Sequence, residues 1–309
     1  MMKNTSPVRI HSISELHRLR KFPPPMHPSI SVLELTAVNA EFLEVSKSMV
    51  FDFYVIALKR NFNLNLKYGQ HRYDFDEGVL YFMAPGQVFG MGQDAAGDSN
   101  EVKGWMLLIH PDFLWHTSLA KGIKRYDYFD YSVNEALFLS DKEEATIVSI
   151  LQNIRQEYQA NMDQFSQHII INHVEALLNY ADRFYHRQFL TRKIANHQVL
   201  ERLDDLLKEA FSSTKLLSSG VPTVQQIADQ LHLSRNYLST LLTIATGRNT
   251  QQHIQDKLIA VARERISTTT LSVSEIAYEL GFEHPQSFSR IFKVKTGMSP
   301  LAFRESFRQ

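Results

Sequence analysis

The chain has 309 residues, enough for two domains of ordinary size at roughly 100–200 residues each. Hydrophobic residues at 44% and charged residues at 21% describe a globular protein and exclude a disordered or fibrous one. With no cysteine, disulfides, thiolate metal sites and cysteine nucleophiles are excluded, and no apolar run approaches the roughly 20 residues that span a bilayer.

Residues 1–29 read as an N-terminal arm. MMKNTSPVRIHSISEL is polar and lacks the apolar core of a secretory signal, which fits a cytoplasmic protein with no membrane partner. Phe22-Pro23-Pro24-Pro25 is stiff and extended. Residues 30 to 112 read as strands. Asn61 to Tyr68 alternates polar and apolar, and Tyr73 and Phe75 continue the alternation beyond a Gly69-Gln70 turn. Val79 to Met83 and Trp105 to Ile109 are short continuous apolar runs suited to buried strands. Turn signals at Gly78, Pro85-Gly86, Gly90, Gly92 and Gly97 to Asn100 separate these segments, the pattern of an antiparallel barrel or jelly roll.

The period then changes. Asp141 with Glu144 reads as a cap ahead of Ile147, Ile150, Leu151, Ile154 and Tyr158, spaced by three and four. A second helix carries Ile170, Val174, Leu177, Leu178, Ala181, Phe184 and Tyr185, and a third runs from about Val199 to Phe211. The apolar stripes of 142–158 and 168–187 suit either a homodimer interface or a cover for the barrel, and the sequence does not separate the two. Residues 191–222 form a connecting helix and a Ser-rich linker, Ser212 to Pro222, and the remainder is helical.

One internal repeat stands out. Thr223 to Leu233 matches Ser272 to Phe282 at an offset of 49, each copy opening on a hydroxyl cap and carrying a small Ala among apolar residues. After the turn the offset becomes 50, so that Leu238 to Thr243 matches Phe288 to Lys293 and Gly247 matches Gly297. A short first helix, a small residue where helices cross and an apolar residue closing the turn are the needs of a helix-turn-helix. Two such units are expected, at 223–247 and 272–297, joined by a helix over 251–266 with Leu258, Val261 and Ala262 as core contacts.

These residues resemble the AraC/XylS family of transcription regulators. The signature is Ser272 to Ala277, Gly281-Phe282, Phe288 to Lys293, Gly297-Met298-Ser299-Pro300 and Phe303-Arg304, within a match over about 200–309. The first unit departs from it, ending Gly247-Arg248-Asn249-Thr250 without the Ser-Pro. The resemblance implies sequence-specific binding of double-stranded promoter DNA in a cytoplasmic protein associated with the nucleoid, and contact with RNA polymerase. Formal charge is zero overall, but from residue 191 onward 15 Lys and Arg face 11 Asp and Glu, a modest net of +4.

Reading positions follow from helix faces. In the first unit Ser234 caps the second helix, and Arg235, Asn236, Ser239 and Thr240 lie near its start or opposite Tyr237, Leu238, Leu241 and Leu242. In the second unit Gln286, Ser287 and Arg290 face outward, with His284 near the DNA backbone and Pro285 in the first turn. Asn pairs with adenine and Arg with guanine, each through two hydrogen bonds. For any one of these residues, phosphate contact or plain solvation stands at even odds with base contact.

The N-terminal segment Gly78 to Gly86 resembles the second cupin motif, which implies a sensor or dimerisation domain over 30–190. Gln87, Val88 and Phe89 stand where a metal-binding cupin needs His, so neither a metal nor another cofactor is expected. His71, His110, His116, His168 and His173 sit in unrelated contexts. Phe62, Tyr68, Tyr81, Phe82, Phe89 and Trp105 read as lining a small-molecule effector pocket or as simple core. The expected class is α+β: a cupin-like antiparallel barrel or jelly roll with trailing helices, then an all-α tandem helix-turn-helix domain. No catalytic residue is expected, since no nucleophile elbow or phosphate loop occurs. The alternative is a small-molecule-binding or interaction protein with an architectural helical domain.

Overall fold

The computed structural model describes residues 7–35, 49–60, 78–89, 103–132, 135–160, 162–191, 193–212, 216 and 220–306. The expected strand Asn61 to Tyr68, with Tyr73, Phe75 and the turn residues Gly90 to Asn100, lies outside them. The chain forms two compact units, Met1–Thr191 and Arg192–Gln309.

Strands of the first unit are numbered along the chain: β1 (Val8–Ile10), β2 (Ile30–Leu35), β3 (Met49–Phe51), β4 (Tyr54–Arg60), β5 (Gly78–Met83), β6 (Val88–Phe89), β7 (Lys103–Ile109) and β8 (Leu137–Leu139). The five-stranded sheet has the order β2-β7-β4-β5-β8 and is antiparallel throughout. Its central strands read as unbroken apolar runs because both faces are covered. Val55, Ala57, Val79, Tyr81, Met83 and Leu108 face Ile10, Met49 and Phe51 of the smaller sheet together with Ile13 and Leu16 of helix α1 (Ile13–Leu19). The smaller sheet has the order β1-β3-β6; β1 runs parallel to β3, a departure from an all-antiparallel expectation. A parallel pair needs a crossover connection, and α1 and β2 lie between these two strands in the chain.

Residues expected within an extended arm thus build core. Ser12 accepts from the Glu15 amide at 3.2 Å and starts α1, which buries Ile13 and Leu16. The Ser-x-x-Glu spacing of Ser12 and Glu15 is the local capping signal, and it stands ahead of the proline run.

The opposite face of the large sheet lies under helices α2 (Asp141–Gln159) and α3 (Ser166–Thr191). Phe82 sits 4.5 Å from the Tyr128 ring, and the Arg155 guanidinium lies 4.6 Å over Trp105. The stripes Ile147, Leu151, Ile154, Ile170, Val174, Leu177, Leu178 and Ala181 are completely buried within this unit. That decides the choice left open by the sequence: these stripes cover the sheet, each large side chain contributing about 1.5–3 kcal/mol. The start of α2 is also corrected by one residue. Ser140 N donates to Glu143 Oε2 at 3.0 Å, while Glu144 is buried and pairs with Arg60. The named aromatics do not share a lining either, because Tyr81 faces the small sheet whereas Phe82 and Trp105 face the helices. Phe62 and Tyr68, and the side chain of Phe89, lie outside the described residues.

The second unit is helical: α4 (Lys193–Ala210), α5 (Val224–Leu231), α6 (Arg235–Thr246), α7 (Thr250–Thr268), α8 (Val273–Glu279), α9 (Pro285–Thr296) and α10 (Pro300–Glu305). The joining helix α7 buries Ile254, Leu258, Ile259, Ala262 and Ile266, with Val261 only half-buried. The 3.6-residue period carries the buried stripe through Ile259 and Ala262, which leaves Val261 at its margin.

Candidate nucleic-acid interface

Each helix-turn-helix is set by its caps. Thr223 and Ser272 accept from the amides of Gln226 and Glu275, both at 3.2 Å, and those two side chains return a bond to the cap amides at 2.8 and 2.6 Å. Ala228 and Ala277 are fully buried, as the close helix crossing requires. The turns then match bond for bond. Leu233 N reaches Ala228 O and Phe282 N reaches Ala277 O, each at 3.0 Å.

The residue at the bend is left-handed in both units, His232 at φ 57° and Gly281 at φ 80°. One added residue, Glu283, then precedes the cap position His284, where the first unit passes directly from Leu233 to Ser234. That single insertion is the structural origin of the offset changing from 49 to 50.

The repeat continues past the second helices. Thr246 and Thr296 each return their hydroxyl to a carbonyl four residues back, at 2.8 Å, before Gly247 and Gly297 end the helices. Ser299 then caps α10 by accepting from Ala302 N at 3.2 Å. In the first unit Asn249 does the same work, accepting from Gln252 N at 3.0 Å to start α7. The missing Ser-Pro is therefore replaced in function by Asn-Thr.

Helices α6 and α9 present the expected positions. Tyr237, Leu238, Leu241 and Leu242 hold α6 to its unit, while Arg235 is exposed and Asn236, Ser239 and Thr240 are half-buried. Ser234 accepts from Tyr237 N at 3.2 Å, so its side chain serves the helix cap. On α9, Phe288 and Phe292 are buried, and His284, Gln286, Ser287 and Arg290 are all exposed. His284 occupies the cap position without a side-chain cap bond. Lys293, which the sequence reading passed over, is exposed three residues beyond Arg290. The i, i+3 spacing of these two cations on one helix was the signal available.

Charges also tie the two units together. Asp256 of α7 receives Arg248 Nη1 at 2.7 Å on one carboxylate oxygen and Lys295 Nζ at 3.0 Å on the other. Arg304 donates to Ile266 O at 3.1 Å, placing a buried cation at the C-terminal end of α7, where the helix dipole favours it.

No group of three or more potential metal ligands occurs among the described residues. Gln87, at the place of a cupin metal ligand, accepts from Ala84 N at 3.1 Å and donates to Tyr131 O at 3.2 Å. No helix among the described residues is long and apolar enough to cross a membrane.

Two capped helix pairs with exposed, partly cationic second helices define a tandem helix-turn-helix domain. Residues 227–306 match the family model described as a helix-turn-helix domain. Across 148 residues the chain is 28% identical to the uncharacterized HTH-type transcriptional regulator YfiF of Bacillus subtilis, covering 48% of this chain and 43% of that one. It is 30% identical over 121 residues to the arabinose operon regulatory protein of Escherichia coli K12, covering 38% and 41% respectively. The chain spans less than half the length of these curated relatives. Among solved structures, the C-terminal domain of the response regulator yesN from Fusobacterium nucleatum is similar at 26% identity, covering 35% of this chain and 98% of that domain, with a TM-score of 0.30.

Proposed function

We propose that the protein is a sequence-specific DNA-binding transcription regulator, not an enzyme, and that helices α6 and α9 enter successive major grooves of promoter DNA. The observation carrying this reading is the bond-for-bond repetition of the turn, which presents two second helices with polar and cationic outer positions. Arg290 and Gln286 read base edges, with Ser287 beside them, and Lys293 and His284 approach phosphates. In α6, Arg235, Asn236, Ser239 and Thr240 form the corresponding face, and the capped start at Ser234 turns amides toward a phosphate.

Residues 30–190 act as a cupin-like sensor or dimerisation domain that takes a small-molecule effector and changes promoter occupancy and contact with RNA polymerase. Supporting this is a two-sheet interior enclosed by α1 on one side of the large sheet and by α2 and α3 on the other. Relatives that match the chain over part of its length carry regulator names.

Selection of bound duplexes from a random DNA pool by the full chain tests the reading. Enrichment of a defined sequence, with affinity falling steeply as salt rises, is the expected result. Absence of any enriched sequence would favour an interaction module and contradict the proposal.

A further inference from the structure

The two helix-turn-helix units repeat closely enough to be compared position by position. Helices α6 and α9 each have 12 residues, and each ends on a left-handed glycine, Gly247 at φ 73° and Gly297 at φ 82°. Their closing bonds coincide: Gly247 N donates to Thr243 O and Gly297 N to Lys293 O, both at 2.9 Å. Leu238 and Leu242 are buried at the positions of buried Phe288 and Phe292, so the same face of each helix is held against its own unit. The offset of 50 therefore equates side-chain positions on the outer faces. Thr240 stands where Arg290 stands, and Thr243 where Lys293 stands.

That exchange changes the chemistry of the face. On α9 an exposed guanidinium and an exposed ammonium lie three residues apart, and a third cation, Lys295, is held by Asp256. On α6 the two equivalent positions are neutral. Thr240 is half-buried and Thr243 exposed, and the Thr243 hydroxyl donates to Ser239 O at 2.8 Å. The one cation of α6, Arg235, is its first residue, where α9 has Pro285. In a major groove Arg pairs with guanine through two hydrogen bonds, whereas a Thr methyl packs against the methyl of thymine. A Lys on a phosphate releases counterions and makes binding salt-dependent, which a Thr at the same place does not.

We propose that the two units read unlike half-sites: guanine under Arg290 with Lys293 on a phosphate in the half bound by α9, and thymine against the Thr240 methyl in the half bound by α6. This rests on, and deepens, the reading of α6 and α9 as major-groove helices, and it names what separates their two DNA sequences. Guanine preference and salt dependence from the outer faces gather in one half of the site, and the other half is discriminated by neutral contacts. The site thereby has a polarity, and the chain binds it in one orientation although its two units repeat.

Selection from a random duplex library by the full chain, followed by gel-shift titration of the selected duplex over a range of salt, tests the proposal. Wild type should enrich guanine in one half and thymine at the equivalent step of the other. Thr240→Arg should replace that thymine by guanine and favour the guanine duplex by about tenfold or more. Should Thr240→Arg not show a melting transition, Arg290→Thr, at an exposed position, runs the exchange in reverse and should remove the guanine. Thr243→Lys should steepen the salt slope by roughly one, and Lys293→Thr should flatten it by roughly one. Guanine enriched in both wild-type halves, folded position-240 and position-290 variants selecting the wild-type sequence, or salt slopes unchanged in both lysine exchanges would overturn the proposal. A two-part site without these asymmetries defeats this inference alone. A wild-type chain that enriches no sequence defeats the regulator reading, and this inference falls with it.

Discussion

Lys295, in the last turn of α9, is bound at 3.0 Å to Asp256, in the helix α7 that joins the two helix-turn-helix units. The second oxygen of the same carboxylate holds Arg248, two residues past the end of α6. One side chain thereby ties the ends of α6 and α9 to α7. All three residues are partly solvent-exposed, so the contribution to folding is small, about 0.5–1 kcal/mol at most. On the proposed reading its effect falls on the spacing of the two helices along DNA. Asp256→Asn should leave the urea midpoint nearly unchanged and weaken binding to a two-part site more than to either half alone. Equal losses on whole and half sites in quantitative gel-shift titrations would contradict this role.

The bend of the two helix-turn-helix units predicts substitutions of opposite sign. At Gly281 a Cβ would lie 2.9 Å from Gly220 Cα, and φ is 80°. Gly281→Ala should destabilise by roughly 1–3 kcal/mol through strain and backbone displacement. His232 pays the left-handed cost already, at φ 57°. His232→Gly should stabilise by up to about 1 kcal/mol. Chemical denaturation of both variants checks the pair, and a loss of stability at both positions contradicts it.

Lys59 gives a pH-dependent prediction. Burial first, and the Arg20 charge second, lower its ammonium from the ordinary 10.5 to about 7. Between about pH 7 and 10.5 the unfolded chain holds a proton that the folded chain lacks, so this group's contribution to stability rises with pH across that window. Below pH 7 the full penalty of a buried charge applies. Lys59→Met should therefore be more stable than wild type at pH 6, by a margin on the order of a few kcal/mol that shrinks by pH 10. Urea unfolding at pH 6 and pH 10 measures the margin, and a pH-independent margin contradicts the assignment.

The second unit was legible because its determinants are local. Hydroxyl caps three residues ahead of Gln226 and Glu275, buried Ala228 and Ala277, and the closing Leu233 and Phe282 all lie within eleven-residue windows. Even the departure at Asn249 was visible, although only the structure shows that it caps α7. The first unit was legible in kind but not in arrangement. Whether the stripes on α2 and α3 faced a partner or their own sheet depended on tertiary packing that no periodicity encodes. Arg20 and Lys59 look like ordinary surface cations in sequence, because burial depends on strands and a helix distant along the chain.

Removing a base-reading residue and a phosphate-contacting one should give different signatures. Lys293→Ala should weaken binding about uniformly across sequences and reduce the salt slope by roughly one. A change in preferred sequence from Lys293→Ala would place it on a base edge instead.

The central claim is that two helices of one chain read two adjacent stretches of DNA. Selection from a random duplex library by wild type, Arg290→Ala and Asn236→Ala tests it most directly. Two enriched stretches about one helical turn, or roughly 10 base pairs, apart are expected. Arg290→Ala should cost about 1–3 kcal/mol and relax preference in one stretch only, and Asn236→Ala should relax the other. Both variants relaxing the same stretch, or a wild-type profile with no enriched sequence, would contradict it.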